Sequence, residues 1–404
     1  MNPIKSLEPD KPRTQAALPS PTLAIDGHEF RLFVEAGPLI AAMVEDIRNA
    51  KRRVWVESYI VADDAGGRAI VEALAERAKA GLDVRLMYDA VGSLGIPAAL
   101  FAPLQAAGGK VHVFHSFWES LRRFSLFQIF NRRNHRKLLI VDDAIAFFGG
   151  MNIVDQSAVV NVDDVKKMHL PRSAGWRDVH LRMVGPRQAE VAAGMEWLWK
   201  RAHHERVRRR PAWRVRKVLA SLQESFHFFD TQPWRPGRRI ERLFAPLIRN
   251  ARESLVLSIA YFLPLGRVLR ELEKARKRGV KIVVILPGES DIKWVQYATR
   301  HVYEKLLRDG FEIYERQFQM LHSKVIVVDH VWTVVGSANL DARSLDFNLE
   351  YVGLFRSPRM AEAVESICKG EIEHSLKITL EHCHKRTWKQ RWIDRLAWFF
   401  RGWL

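Results

Sequence analysis

The sequence predicts an α/β protein made of two related lobes, each a mixed sheet flanked by helices, with the active site where the lobes meet. Three observations predict it. Apolar runs of strand length alternate with stretches of helical periodicity, the α/β pattern. One set of segments occurs twice along the chain. Each copy of the set also places a histidine and a lysine at the head of a buried-looking apolar run, where an ordinary core strand carries neither.

The repeat is read from matched segments. "IRNAKRRVWVESYI" (47–60) resembles "IRNARESLVLSIAYF" (248–262), and "ERAKAGLDVRLMYD" (76–89) resembles "EKARKRGVKIVVILP" (273–287). "NHRKLLIVDDAIAFFGGMN" (134–152) returns as "LHSKVIVVDHVWTVVGSAN" (321–339), and "DVHLRMVGP" (178–186) as "EYVGLFRSP" (350–358). His322 follows His135 at the same distance that Asn339 follows Asn152 (322 − 135 = 339 − 152 = 187). Each half therefore reads helix, strand, helix, strand, a short strand, the His-Lys strand and one more strand. The offset drifts from about 200 near the first helices to 172 between Asp178 and Glu350. The first half thus carries two insertions, around 115–133 and 156–175, and both flank the motif, where insertions commonly shape substrate access. The resulting divisions are a flexible lead-in 1–25, a first lobe 26–200, a basic linker 201–235, a second lobe 236–380 and a tail 381–404.

Residues i and i+2 of a strand share a face, so His135 projects beside Lys137 and His322 beside Lys324. One His-x-Lys would mean little. Two copies, each with an aspartate at the same distance (Asp142, Asp329) and a Gly-x-x-Asn turn (Asn152, Asn339), do not recur by chance. If the halves pack about a pseudo-twofold axis, two imidazoles, two ammonium groups and two amides surround one point. That set suits a tetrahedral oxyanion, a phosphate diester. One neutral imidazole attacks phosphorus, and the other protonates the leaving alcohol and then deprotonates the acceptor. The choice falls on His135 as nucleophile and His322 as acid and base. A nucleophilic imidazole needs its second nitrogen held by a carboxylate, and the repeat nominates Asp178 and Glu350. Asp142 and Asp329 lie beyond the apolar runs and read as structural.

Composition bounds the rest. The chain has 404 residues, 48% of them hydrophobic, a net charge of +18 and two cysteines, Cys368 and Cys383. A disulfide framework is excluded, and a reducing, cytosolic face fits. The charge calls for a polyanionic partner, nucleic acid or an anionic lipid surface. No run of about 18 apolar residues suggests a membrane-spanning helix. No metal site or cofactor is expected: His382, Cys383 and His384 are too close together to ligate one ion well. The pairs Asp142–Asp143 and Asp163–Asp164 read as exposed turn carboxylates.

These motifs resemble the phospholipase D superfamily, whose signature is His-x-Lys-x4-Asp with a following Asn. The resemblance spans roughly residues 30–370. Within the superfamily the segments "HRKLLIVDDAIAFFGGMN", "WRDVHLRMVGP" and "GSANLDARSLDFNLE" are similar to bacterial cardiolipin synthases, of the short type without N-terminal transmembrane helices. The resemblance implies paired α/β/α lobes, a phosphohistidine route without metal, and a phosphatidyl transfer that joins phosphatidylglycerol to a second phospholipid.

The tail "TWKQRWIDRLAWFFRGWL" suggests how such a protein reaches its substrate. As a helix it sets Trp388, Trp392, Phe399, Phe400 and Trp403 on one face and most of its basic residues elsewhere. That pattern is expected of an interfacial anchor, although a terminal helix packed on the core would look similar. The aromatic and basic insertion 117–130 is a candidate lipid entrance. The expected partner is therefore an anionic phospholipid surface, and the location peripheral, on the cytoplasmic face of the bacterial inner membrane. A hydrolase releasing phosphatidic acid or a nuclease could use the same two histidines. The fused halves, aromatic insertions and Trp-rich tail favour lipid over nucleic acid.

Overall fold

The computed structural model describes residues 21–115, 132–155, 175–208, 210–233 and 235–402. The first lobe runs β1 (Thr22–Ile25), β2 (His28–Phe33), α1 (Ala36–Asn49), β3 (Arg53–Ser58), α2 (Ala65–Lys79), β4 (Asp83–Asp89), α3 (Ala102–Ala106) and β5 (Lys110–Phe114). It continues through β6 (Leu138–Val141), β7 (Ile145–Gly149), β8 (Trp176–Arg177), β9 (His180–Val184) and α4 (Gln188–Ala202). The second lobe runs α5 (Val215–Leu219), β10 (Ser225–Asp230), α6 (Glu241–Asn250), β11 (Ser254–Ile259), α7 (Gly266–Lys277), β12 (Lys281–Pro287), α8 (Lys293–Arg308) and β13 (Glu312–Arg316). Then follow β14 (Met320–Leu321), β15 (Lys324–Val328), β16 (Trp332–Gly336), β17 (Tyr351–Arg356), α9 (Pro358–Glu373), β18 (Ser375–Ile378), α10 (Leu380–His384) and α11 (Trp388–Phe399).

The sheets are β1-β2-β9-β7-β6-β3-β4-β5 and β10-β17-β16-β15-β11-β12-β13-β18. Seven strands follow the same order in both, so the duplication read from sequence is a duplication of topology. β3, β4 and β5 pair in parallel, as do β11, β12 and β13, while the remaining neighbours are antiparallel. The parallel strands are joined through α2 and α7, which is what a parallel connection requires. The extra strands β1 and β18 fall on opposite edges. Two strands depart from the reading above. β1 (Thr22–Ile25) falls within the expected flexible lead-in 1–25, yet it pairs along its whole length with β2. Ser225–Asp230, within the expected linker 201–235, is β10 and pairs along its whole length with β17. Its six residues, "SFHFFD", are too short for periodicity to separate them from the basic stretch before them.

Each sheet faces two ways. The outer face of the first packs on α1 and α2 through residues such as Leu39, Ile47, Leu74 and Leu86. The outer face of the second packs on α6 and α7 through Phe244, Ile248, Leu272 and Val284. The inner faces share one core, in which Phe30 meets Phe226 and Phe355 edge-to-face at 5.0 and 5.1 Å, and Phe148 meets Phe228 at 5.2 Å. Edge-to-face aromatic pairs add about 0.5–1.5 kcal/mol beyond the area they bury, so the lobes are joined by a true core.

Asp142 and Asp329 occupy matching turns. Asp142 accepts hydrogen bonds from the backbone N–H of Lys51, Arg52 and Arg53, and Asp329 from those of Arg252, Glu253 and Ser254. Both have left-handed φ, 53° and 51°, which asparagine and aspartate tolerate better than other side chains. Each carboxylate fixes the entry to the strand beside the motif strand. Asp142→Ala or Asp329→Ala should lower the thermal midpoint, costing about 1–3 kcal/mol. The asparagine variants should lose less, because one acceptor oxygen and the backbone preference remain. Equal midpoints for the alanine and wild-type proteins would disprove this role.

Candidate active site

Two short parallel pairings cross between the lobes, and each ends at a histidine. Asn134 bridges Leu349: the His135 N–H donates to Leu349 O at 2.9 Å, and the Leu349 N–H donates to Arg133 O at 2.9 Å. β14 likewise pairs with β8, and the His322 N–H donates to Arg177 O at 2.6 Å. The residue after each partner is an acid, Glu350 or Asp178. The backbone register therefore delivers each histidine to the carboxylate of the opposite lobe. His135 Nδ1 lies 3.0 and 3.1 Å from the Glu350 oxygens. His322 Nδ1 lies 2.8 Å from Asp178 Oδ2. The repeat had nominated both acids; it could not show that the pairs cross. With Nδ1 of each ring turned to its acid, both imidazoles line the same cavity. One refinement concerns the strand. β6 begins at Leu138, so His135 and Lys137 precede it and are fixed by the lobe bridge instead.

The rings border a cavity of about 280 Å³ lined by His135, His322, Asn152, Asn339, Arg133 and Arg343, with Tyr59, Trp176 and Tyr261. Tyr59 meets His135 edge-on at 5.1 Å, and Trp176 lies 4.8 Å from His322. Both lysines are buried behind the rings and do not line the cavity. Lys137 Nζ donates to His135 O at 2.7 Å, and Lys324 Nζ donates to His322 O. Asn152 Oδ1 accepts from the Ile60 N–H at 3.3 Å, while Asn339 Oδ1 is buried without a hydrogen-bond partner. Sequence reasoning missed Tyr59, Trp176, Tyr261, Arg133 and Arg343, which sit in turns and bridges where no periodicity marks them.

The two halves are not electrostatically equal. Burial alone would raise Asp178, but Lys324, 3.1 Å away, and His322 outweigh it and hold the carboxyl below its usual range. Burial pushes Glu350 up to about 7 despite Lys137 and hydroxyl donors from Ser337 and Ser344. Both imidazoles are lowered by burial first. His135 is pushed well below the usual value, with Lys137 and Lys324 adding to the effect. For His322 the field of Lys324 is opposed by Asp178. The Gly-x-x-Asn turns explain part of the difference. Gly150 lies against Asp178, whose oxygens leave a Cβ there only 2.1 Å of room. The matching position in the second turn is Ser337, which donates to Glu350. That glycine-for-serine difference was visible in the two turns.

Several segments singled out in the sequence fall outside the described residues: the insertion 117–130, most of 156–175 including Asp163 and Asp164, the lead-in up to residue 20, and Trp403. Among the described residues no cluster of three or more His, Cys, Asp or Glu side chains could hold a metal ion. His382 instead caps its own helix through Thr379.

The profile of the family described as "Cardiolipin synthase, PLD-like domain" matches residues 43–178 and 244–370, and both histidine motifs lie within it. Cardiolipin synthase 1 of Staphylococcus epidermidis is 28% identical over 373 residues, covering 92% of this chain and 73% of that protein. Cardiolipin synthase A of Pseudomonas aeruginosa is 31% identical over 365 residues, covering 90% and 70%. Among solved structures, a phosphatidylserine synthase from Haemophilus influenzae superposes with a TM-score of 0.66 at 15% identity, over 93% of this chain and 95% of that one. At that identity the likeness shows the fold alone.

Asp178 balances a buried ammonium group, so its loss should be severe whatever the chemistry. Asp178→Ala should cost about 3–5 kcal/mol, the usual penalty for stranding a buried charge. Adding Lys324→Met should restore part of that loss. Denaturant titration of the single and double variants measures the coupling, and additive losses would show that the pair does not interact.

Proposed function

The chain belongs to the cardiolipin synthase family with phospholipase D-like domains, and from that premise we propose that it joins two phospholipids into cardiolipin through a phosphohistidine intermediate. The crossed His–carboxylate pairs around one cavity carry the proposal. Membership makes the protein a phosphatidyltransferase of the phospholipase D superfamily. The donor, the acceptor and the intermediate belong to the proposal.

His135 is the nucleophile. Its Nδ1 proton is held by Glu350, which leaves the Nε2 lone pair free, and burial beside two ammonium groups keeps the ring neutral. Nε2 attacks the phosphorus of phosphatidylglycerol and the P–O bond to glycerol breaks. His322, whose imidazolium faces an anionic Asp178, gives its Nε2 proton to the departing glycerol oxygen. The hydroxyl of the second phospholipid then returns a proton to His322 and displaces His135, restoring both rings. Asn152, Asn339, Lys137 and Lys324 supply the positive field for the phosphoryl oxygens, a preorganised stabilisation of the kind that dominates such reactions. With phosphatidylglycerol as both partners, the balance is two lipids in, one cardiolipin and one glycerol out.

Two surface features favour a lipid interface over a nucleic acid. α11 buries only Asp394 and Ala397 and leaves Trp388, Trp392 and Phe399 at 73, 60 and 75% exposure. The Arg386–Asp394 ion pair at 2.7 Å and the packing of Trp398 by His301 hold it against α8 with that face outward. A core-packed helix would turn those rings inward. The cavity rim adds Val91 and Ile292, 38 and 41% exposed, beside the still more exposed Leu94 and Trp294. No helix among the described residues is long and apolar enough to cross a membrane. The proposal accordingly places the protein peripherally on the cytoplasmic face of the inner membrane.

Purified protein on phosphatidylglycerol vesicles, with and without phosphatidylethanolamine and in the presence of EDTA, should form cardiolipin. His135→Ala and His322→Ala should each lose at least a thousandfold in rate. Phosphatidic acid as the sole product would make the enzyme a hydrolase, and turnover by the double alanine variant would end the two-histidine mechanism. The pH profile carries a sign. Both imidazoles are displaced downward in the free protein, so His322 loses its proton below about 6.5, the ordinary histidine value, and kcat/KM should already be falling as pH rises toward that value. A flat profile to pH 9 would contradict that assignment.

The combined change Trp388→Ser, Trp392→Ser and Phe399→Ser should weaken sedimentation with anionic liposomes at least tenfold and leave the circular dichroism spectrum unchanged. Undiminished binding would remove α11 from the membrane contact.

A further inference from the structure

A further cavity lies outside the catalytic site and, among the described residues, shares no lining residue with it. It measures about 510 Å³ and is walled by Arg201, Arg208, Arg235 and Arg238, with Trp197 and Gln232 among its other residues. Among the described residues no acidic side chain lines it. Asp230, two residues before Gln232, is shared by Arg210 and Arg238, and Glu196, next to Trp197, is paired with Lys200. The second observation is Gln232. It is 1% exposed, yet neither its amide oxygen nor its amide nitrogen has a hydrogen-bond partner, and Arg238 Nε beside it is also unsatisfied. Buried amides without partners are costly, about 1–3 kcal/mol each, and such groups call for an explanation. An anion accepting from Gln232 Nε2 and Arg238 Nε would satisfy the two donors, and a hydroxyl on the same ligand would donate to Gln232 Oε1.

We propose that this cavity is a second phosphate site and that its ligand is the headgroup of an anionic phospholipid. The arginines supply the planar, multi-donor recognition that phosphate favours. A bare phosphate ion would leave most of the volume empty. The indole of Trp197 and the apolar residues Val207, Ala212 and Pro236 offer a wall for the glycerol portion. The position also suggests what occupancy does. Thr231, next to Gln232, is tied to Glu350 in both directions: its N–H donates to Glu350 O at 2.9 Å, and its Oγ1 accepts from the Glu350 N–H at 2.6 Å. Gln232 itself closes the loop through its N–H to Arg238 O at 3.1 Å. A headgroup that engages Gln232 and Arg238 therefore steadies the backbone of the acid that holds His135. That coupling rests on the catalytic reading above; binding does not.

Calorimetric titration tests the binding directly. The full chain carrying His322→Ala, to suppress turnover, is titrated with dioctanoyl phosphatidylglycerol kept below its micelle concentration. Two binding events per chain are expected, one at each cavity. Adding Gln232→Glu places a negative charge in the cavity and should weaken one event at least tenfold while leaving the other in place. Arg208→Ala, at an exposed position, should weaken the same event and decides the matter if the glutamate variant does not fold. A single event in the parent, or two events unaffected by Arg208→Ala, would overturn the site. Inorganic phosphate should bind there at least tenfold more weakly than the lipid; equal affinity would refute the lipid assignment in favour of free phosphate. Because the readout is stoichiometry, failure of the two-histidine mechanism would show separately, as turnover by the histidine variants.

Discussion

The backbone pairings Asn134–Leu349 and Leu321–Arg177 hold the molecule's chemistry together. Each is only one or two residues long, and each sits one residue before a histidine on one strand and one residue before a carboxylate on the other. A lobe by itself would hold an imidazole without an acid and an acid without an imidazole, all of them buried. Burying such groups unpaired is expensive, so the pairs require the lobes to close on each other, and the aromatic core of Phe30, Phe226, Phe148 and Phe355 supplies the apolar driving force. Stability and catalytic geometry therefore depend on the same interface. Further buried charge pairs reinforce it: Arg177 of the first lobe reaches Glu371 of the second at 3.0 Å, and Arg316 reaches the same carboxylate at 3.0 Å.

Pseudo-symmetry gives the site two equal sets of residues, and the reaction needs two unequal roles. The departures from symmetry supply the difference. Asp178 has a lysine against it and stays below its usual range; Glu350, one methylene longer, is bounded by the hydroxyls of Ser337 and Ser344 and rises to about 7. Both imidazoles are shifted toward the neutral form, but Asp178 opposes that shift for His322 while His135 is pushed well below the usual value. Small changes at matched positions, aspartate for glutamate and glycine for serine, are enough to bias two otherwise equivalent histidines, because the site is dry and its charges are weakly screened.

Much of this was legible in the chain. The duplication, the α/β order and the eight polar residues of the motif all follow from matched segments, because a repeat multiplies the weight of each coincidence. The crossing of the pairs was not legible: periodicity describes a strand's faces, whereas the bridges that select Glu350 for His135 are single residues with no pattern of their own. β10 was missed for a related reason, as six residues behind a basic stretch give too short a window. Tyr59 and Tyr261 reach the cavity from loop positions, and Trp176 from the two-residue strand β8, where only the folded chain determines direction. The tail was readable as a helix, but only the packing shows that Asp394 and Ala397 face inward while the tryptophans face out.

The net charge of +18 gains meaning once it is placed. Many arginines are spent internally, in pairs such as Arg133–Asp89 and Arg136–Glu57, and are unavailable to a partner. The stretch from Arg201 to Arg238 adds a second arrangement: Arg210 and Arg238 share Asp230, while Arg201, Arg208, Arg235 and Arg238 converge on a cavity with no acid on its wall among the described residues. A surface that only needed attraction to an anionic membrane would scatter its lysines and arginines in solvent, where each contributes about 1 kcal/mol near the bilayer. Converging arginines around a buried, unsatisfied amide costs more than that and returns it only when something anionic fills the space. The position of that space, one residue from the backbone of Glu350, makes the acid that orients His135 the part of the catalytic site most directly exposed to what the cavity holds.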